Sequence, residues 1–212
     1  MFHVKHGERE AVLRRIAATA DIEARLDALV ATLLQWAPRI NLVAKSTLEV
    51  VWTRHIEDSA QLLDAAPPKA RRWIDLGSGA GFPGLVIAAL APDRAPHLAV
   101  TLVESDSRKA AFMRAAAREM GVHVTVKDSR IEALAGEAHD VVSARALAPL
   151  PKLLEYAVPL LAPSGVAVFP KGEGWKGELT DASQHWHMSA DVRPSVTHRD
   201  AVILVLSEIA RE

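Results

Sequence analysis

The 212-residue chain has no cysteine. That absence excludes disulfides, thiolate zinc sites and any mechanism with a cysteine nucleophile. An excess of either charge is also missing: 25 basic residues face 26 acidic ones, a formal net charge of -1. A chain so balanced does not grip naked nucleic acid by bulk electrostatics, so any such contact must be a local patch. Long apolar runs are absent too. None reaches the roughly eighteen residues of a spanning helix, and Met1 to His6 lacks the apolar core of a signal peptide, so residence in the cytoplasm without a membrane is expected. The nine histidines do not read as a metal site. His3 and His6 lie at the terminus, and His185 and His187 form a bare pair with no third ligand nearby, so no metal is expected. Neither repeats nor low-complexity segments occur.

Half of the residues are hydrophobic, enough to bury a sizeable core in one domain with an appendage. From Glu8 to about Ala66 the pattern is helical. Ile22, Leu26, Leu29, Val30, Leu33 and Leu34 recur at three- and four-residue spacing, with Asp21 as the expected cap and Pro38 as the stop. A second helix is predicted from Ser46 or Thr47 to the Pro67-Pro68 break. Residues 1–69 thus read as a helical appendage and 70–212 as the main domain. In the latter, short apolar runs alternate with amphipathic segments, which predicts a parallel sheet covered by helices. Strands are expected at 72–76, 99–103, 123–127, 140–143 and 165–169, followed by a closing pair near 189–197 and 201–207. The predicted fold is α/β: a Rossmann-like sheet, mostly parallel, with an antiparallel terminal strand.

The most informative stretch runs from Asp75 to Gly84, Asp-Leu-Gly-Ser-Gly-Ala-Gly-Phe-Pro-Gly, between a predicted strand and a predicted helix. Glycines at alternate positions allow a tight turn and close approach to a ligand. Gly79 to Gly84 formally matches the dinucleotide fingerprint, a weak signal alone. Asp75 would bring negative charge to where a pyrophosphate should lie. S-adenosylmethionine carries no phosphate and has a positive sulfonium and ammonium, so a carboxylate there favours it. Glu104, at the end of the next predicted strand, can accept hydrogen bonds from both ribose hydroxyls of either cofactor.

In open parallel sheets ligands bind beyond the carboxyl ends of the strands. After the third predicted strand, Asp128 or Ser129 can cap a helix, and the backbone near Ile131 can reach an adenine edge. After the fourth comes Arg145, where enzymes that methylate exocyclic amines carry an Asn or Asp followed by Pro-Pro and an aromatic. This chain lacks that motif. The guanidinium suits a guanine edge, a phosphate or a cofactor carboxylate, and pairing with an acid is the simpler alternative. After the fifth, Lys171 lies between Pro170 and Gly172 at the sheet rim, where it suits a phosphate contact.

These residues carry a family resemblance. Asn41 to Ala44, Arg54 to Ser59, the Asp75 to Gly84 turn, Leu102 to Ser105, Lys109, Phe112, Arg130 to Glu132, Ser143, Arg145, Ala146 and Lys171-Gly172 occur in order. In them the chain resembles the small-subunit ribosomal RNA guanine-N7 methyltransferases, the glucose-inhibited division protein B family. It departs in Val43, where the family usually has Thr, and in Arg108, which replaces the first of two lysines. The resemblance implies a class I methyltransferase that binds S-adenosylmethionine through Gly77, Gly79, Phe82, Glu104, Ile131, Glu132 and Arg145, with Asp75 at the turn. It also implies a guanine of 16S ribosomal RNA as target, met on the small subunit. Asn41, Arg54, His55, Arg145 and Lys171 are then the substrate-positioning candidates, and no residue is assigned as acid or base. The rival readings are a nicotinamide-dependent reductase and a non-catalytic ribosome-binding assembly factor.

Overall fold

A computed structural model describes residues 6–134 and 136–212, so the predicted terminal His3 lies outside the described residues. Helices α1 (His6–Arg15) and α2 (Ala20–Trp36) open the chain. Thr19, not Asp21, caps α2, because its hydroxyl sits one step before the helix and accepts from the Ile22 N–H at 3.3 Å. The helical face predicted from Ile22 to Leu33 is buried, and Trp36 meets Phe112 edge-on at 5.9 Å.

The second predicted helix is instead a chain of short turns. A 3₁₀ turn at Lys45–Thr47 and a π-helical segment at Trp52–Glu57 lead into α3 (Asp58–Ala60), and another 3₁₀ turn follows at Leu63–Ala65. π-Helical turns widen the helix and often accompany functional sites. This one carries Arg54 and His55.

Seven strands form one sheet: β1 (Arg72–Leu76), β2 (Ala99–Glu104), β3 (Thr125–Asp128), β4 (His139–Ala144), β5 (Leu161–Lys171), β6 (Trp186–Pro194) and β7 (Val202–Arg211). Their order is β3-β2-β1-β4-β5-β7-β6; β1 to β5 are parallel, and β7 runs antiparallel to both β5 and β6. The mostly parallel Rossmann-like prediction is correct, while β3 starts later and β6 ends earlier than expected. Helices α4 (Gly84–Arg94), α5 (Ser107–Met120), α6 (Leu150–Ala157) and α7 (Trp175–Ala182) cover the faces. Leu26, Leu29 and Leu33 of the appendage share one hydrophobic cluster with Leu85, Phe112 and Met113, so the appendage is packed into the sheet's own core rather than cored separately.

The turn after β1 requires its glycines for different reasons. Gly77 has φ +60°, and a Cβ there would meet the Leu147 side chain at 2.6 Å. Gly84 has an ordinary φ but no space: a Cβ would lie 2.1 Å from Leu102 Cδ2 and 3.1 Å from the Asp75 Cβ. Gly84→Ala is therefore expected to lower stability by about 1–3 kcal/mol through overpacking. Thermal unfolding checks this, and a midpoint equal to that of the parent chain would refute the close packing of α4 against β2.

Candidate active site

A cavity of about 610 Å³ opens at the carboxyl ends of β1, β2 and β4. Its wall brings together Gly77, Gly79, Phe82, Glu104, Ile131, Glu132 and Arg145, predicted for the cofactor, with Arg54 and His55, predicted for the substrate. Asn41 is exposed and outside this wall, which its neighbours Leu42, Val43 and Ala44 join instead.

Asp75 does not line the cavity. It is completely buried beneath the turn, where one carboxylate oxygen accepts from Ser143 Oγ at 2.7 Å and the other from the Gly84 N–H at 3.3 Å. Ser143 in turn accepts from the Trp73 indole at 2.8 Å. Burial pushes the Asp75 carboxyl up to about 6 against the pull of these hydrogen bonds. The residue ties β1, β4 and the start of α4 together, so the charge expected beside a ligand lies beneath the turn and off the cavity wall.

Glu104 is 9% exposed, and both of its oxygens are engaged: Oε2 accepts from the Gly79 N–H at 2.9 Å and Oε1 from the Asp106 N–H at 2.8 Å. The carboxylate thereby fixes the glycine turn and still has lone pairs for a ligand diol, since each oxygen can accept more than one bond. Across the cavity wall, Ser129 has a buried hydroxyl with no hydrogen-bond partner among the described residues. Buried hydroxyls are normally paired, so this one suits a polar atom of a bound nucleoside. Asp128 and Ser129 do not cap a helix; Arg130 occupies the N-cap of the 3₁₀ turn at Ile131–Ala133, without a side-chain bond.

Arg145 joins the two halves of the molecule. Its guanidinium donates to the Arg54 carbonyl at 3.2 Å, to Asp58 Oδ2 at 3.3 Å and to His55 Nδ1 at 2.9 Å, and lies 5.3 Å from the centre of the Phe82 ring. Next in the chain, Ala146 has φ +53°, a left-handed conformation uncommon outside glycine and often found at functional sites. The His55 ring stacks on Phe82 at 4.9 Å. Because arginine has only donors, Nδ1 must accept, so the ring proton is on Nε2, which donates to Thr47 Oγ1 at 2.9 Å. Burial, with Arg145 and Arg54 nearby, lowers the His55 pKa to about 3. His55 is thus neutral near pH 7, with its only basic lone pair occupied. This is not the arrangement of a general base.

The same shift has a consequence for stability. The folded chain binds the His55 proton less tightly than the unfolded chain, whose histidine has the ordinary value of 6.5. Stabilisation is therefore complete above that value and is lost as pH falls towards about 3. The parent chain is expected to lose more thermal stability than a His55→Gln variant between about pH 7.5 and about 4.5. Equal losses would show that His55 is not held neutral.

Lys171 lies beside a neighbouring cavity rather than the first. Its ammonium donates to Glu178 Oε2 at 2.7 Å and to the Ala148 carbonyl at 3.1 Å, with the side chain only 9% exposed, so the free cation expected for a phosphate contact is already paired. Sequence reasoning missed Thr47, Asp58, Ser129 and Glu178 as site residues. Asp58 had a signal in its four-residue helical spacing from Arg54, and Ser129 in its place just after the third predicted strand, where it reads as a helix cap.

The cavity at the strand ends and its glycine turn suit a nucleoside, and comparison with known proteins decides the family. The family described as GidB, rRNA small subunit methyltransferase G, matches residues 22–203. The chain belongs to this family. A relative from Cereibacter sphaeroides named Ribosomal RNA small subunit methyltransferase G is 45% identical over 202 residues, covering 95% of this chain and 98% of the relative. Among solved structures, ribosomal protein L11 methylase from Lactobacillus delbrueckii subsp. bulgaricus superposes with TM-score 0.56 at 17% identity, covering 74% of this chain and 77% of the other. M. jannaschii TYW2 in complex with AdoMet has TM-score 0.57 at 13% identity, with 83% and 80% coverage. At such identities the likeness establishes the fold, that of the class I methyltransferases. Membership in the family makes the chain an enzyme and removes both rival readings, the reductase and the non-catalytic factor.

Proposed function

We propose that this chain transfers a methyl group from S-adenosylmethionine to N7 of a guanine in 16S ribosomal RNA, on the small subunit in the cytoplasm. The cofactor is a methylsulfonium, and it supplies the electrophilic methyl carbon. Gly77, Gly79 and Phe82 of the turn form one side of its site. Glu104 accepts from the ribose hydroxyls, while Ile131, Glu132 and the open Ser129 hydroxyl bound the adenine end. Arg145 borders the reacting end and orients what lies there by donating hydrogen bonds.

The observation that carries the reading is the state of His55. The imidazole nearest the reaction space is neutral, and its lone pair accepts from Arg145 at 2.9 Å. Guanine N7 has an in-plane lone pair and no proton, so its methylation needs no base; an exocyclic amine would have to lose a proton. The residues hold two partners in line and exclude water, which is catalysis by proximity and orientation. The near-neutral chain fits a substrate that offers shape and protein contacts besides phosphate.

The test is transfer of radiolabel from the cofactor to purified small subunits and to free 16S RNA, followed by borohydride and aniline cleavage. Cleavage at one labelled guanine, with subunits preferred over free RNA, is expected. Label that resists this cleavage would refute N7 as the acceptor.

A further inference from the structure

A second cavity, of about 420 Å³, lies where the ends of β4 and β5 meet the start of β7. It shares Arg54, Arg145, Ala146 and Leu147 with the first cavity, so the two adjoin through the segment that begins at Arg145. Leu147, Pro149 and Pro170 give it apolar wall, and Asp58, Lys171 and Glu178 give it polar groups. A cavity of this volume that combines apolar wall with fixed polar groups, Arg54 and Arg145 among them, has room for a small ligand of the size of one base.

Its two carboxylates are not equivalent. Both oxygens of Asp58 are engaged, one by Arg145 at 3.3 Å and the other by Thr197 at 2.7 Å and Gln61 at 3.2 Å. Glu178 is held by one oxygen alone: Oε2 accepts from Lys171 at 2.7 Å and from the Leu150 N–H at 2.7 Å. Oε1 has no protein partner among the described residues, and the side chain is 31% exposed. Glu178 lines this cavity, and a carboxylate clamped by two donors on one oxygen, with the other free of protein partners among the described residues, is a prepared acceptor for neighbouring N–H groups.

We propose that Glu178 is the specificity-determining residue for the target base, receiving the N1–H and N2–H groups of guanine. This rests on the guanine-N7 reading above. On the purine, that edge lies opposite N7, so a guanine gripped there presents N7 away from Glu178, towards the cavity shared through Arg145. Adenine offers a lone pair at N1 and no amino group at C2, and it is rejected by a carboxylate. Lys171 acts through Glu178 as a positioning residue and does not itself touch phosphate.

The experiment uses the full chain and small subunits reconstituted with RNA carrying either guanosine or inosine, which lacks the C2 amino group, at the modified nucleotide. The two substrates compete in one reaction, so the ratio of their kcat/KM values is independent of how much enzyme is active. The parent chain is expected to favour guanosine about tenfold or more, the loss typical of an unpaired charged hydrogen bond. Glu178→Ala should bring the ratio close to one, and Glu178→Gln, which keeps the shape and one acceptor, should lower it about threefold or more. Cofactor affinity in Glu178→Gln should stay unchanged by calorimetry. A parent ratio near one overturns the proposal, as does a Glu178→Gln ratio equal to that of the parent. If the parent chain leaves no N7-methyl product on guanosine subunits, the guanine-N7 reading fails, and Glu178's role with it.

Discussion

Arg145→Ala is expected to reduce kcat/KM for small-subunit methylation by about hundredfold or more, about 2.7 kcal/mol of transition-state stabilisation. The size follows from how many groups depend on the guanidinium. Its loss removes a partner from Asp58, which is buried, and the donor from His55 Nδ1. It also removes the cation beside Phe82 and the bond to the Arg54 carbonyl, which joins the π-helical segment to the end of β4. Breaking a buried ion pair leaves an uncompensated charge and costs up to about 3–5 kcal/mol of stability. Circular dichroism at the assay temperature therefore belongs with the kinetics, to separate lost folding from lost catalysis. Arg145→Lys should rescue little, because an ammonium cannot reproduce a planar fork that serves several acceptors at once. Folded Arg145→Ala enzyme with turnover within about threefold of the parent would refute the organising role of this residue.

Glu104→Ala should weaken S-adenosylmethionine binding by about hundredfold, read by calorimetry. Two losses combine. The ribose loses its acceptor, and the backbone N–H groups of Gly79 and Asp106 lose the carboxylate that holds them at 2.9 and 2.8 Å. Hydrogen bonds to a charged group contribute about 1.5–3 kcal/mol each, so one such ligand bond together with a loosened turn accounts for the effect. Glu104→Gln retains one acceptor oxygen and should fall between the two. An unchanged affinity in Glu104→Ala would exclude the diol role outright.

How much of the site could be read from sequence depended on the kind of feature. The glycine turn, Glu104 and Arg145 were legible because each occupies a strand end, and strand ends follow from apolar runs and the breaks after them. The second helix was not: its apolar periodicity is compatible with a regular helix, but the chain forms a π-helical segment that packs against α1, and that segment carries the His55 ring stacked on Phe82. Lys171 and Asp75 were legible as residues and misjudged as groups. One is paired with a carboxylate seven positions later, the other lies under the turn, and burial of a side chain is a property of packing that spacing along the chain does not express.

Sequence alone determined the sheet class, the glycine turn with Glu104 at the end of the next strand, and the family, because these depend on local periodicity, on backbone freedom at glycine and on residue types in order. Tertiary structure decided which charges are spent and which are open. Arg145 is held by partners some ninety positions away, as is the lone pair of His55, whereas Glu178 and Ser129 each keep an oxygen without a partner among the described residues. The physical reason is that hydrogen-bond pairing and desolvation are set by neighbours in space. Arg54, His55 and Asp58 meet Arg145 only because the appendage packs into the core of the sheet.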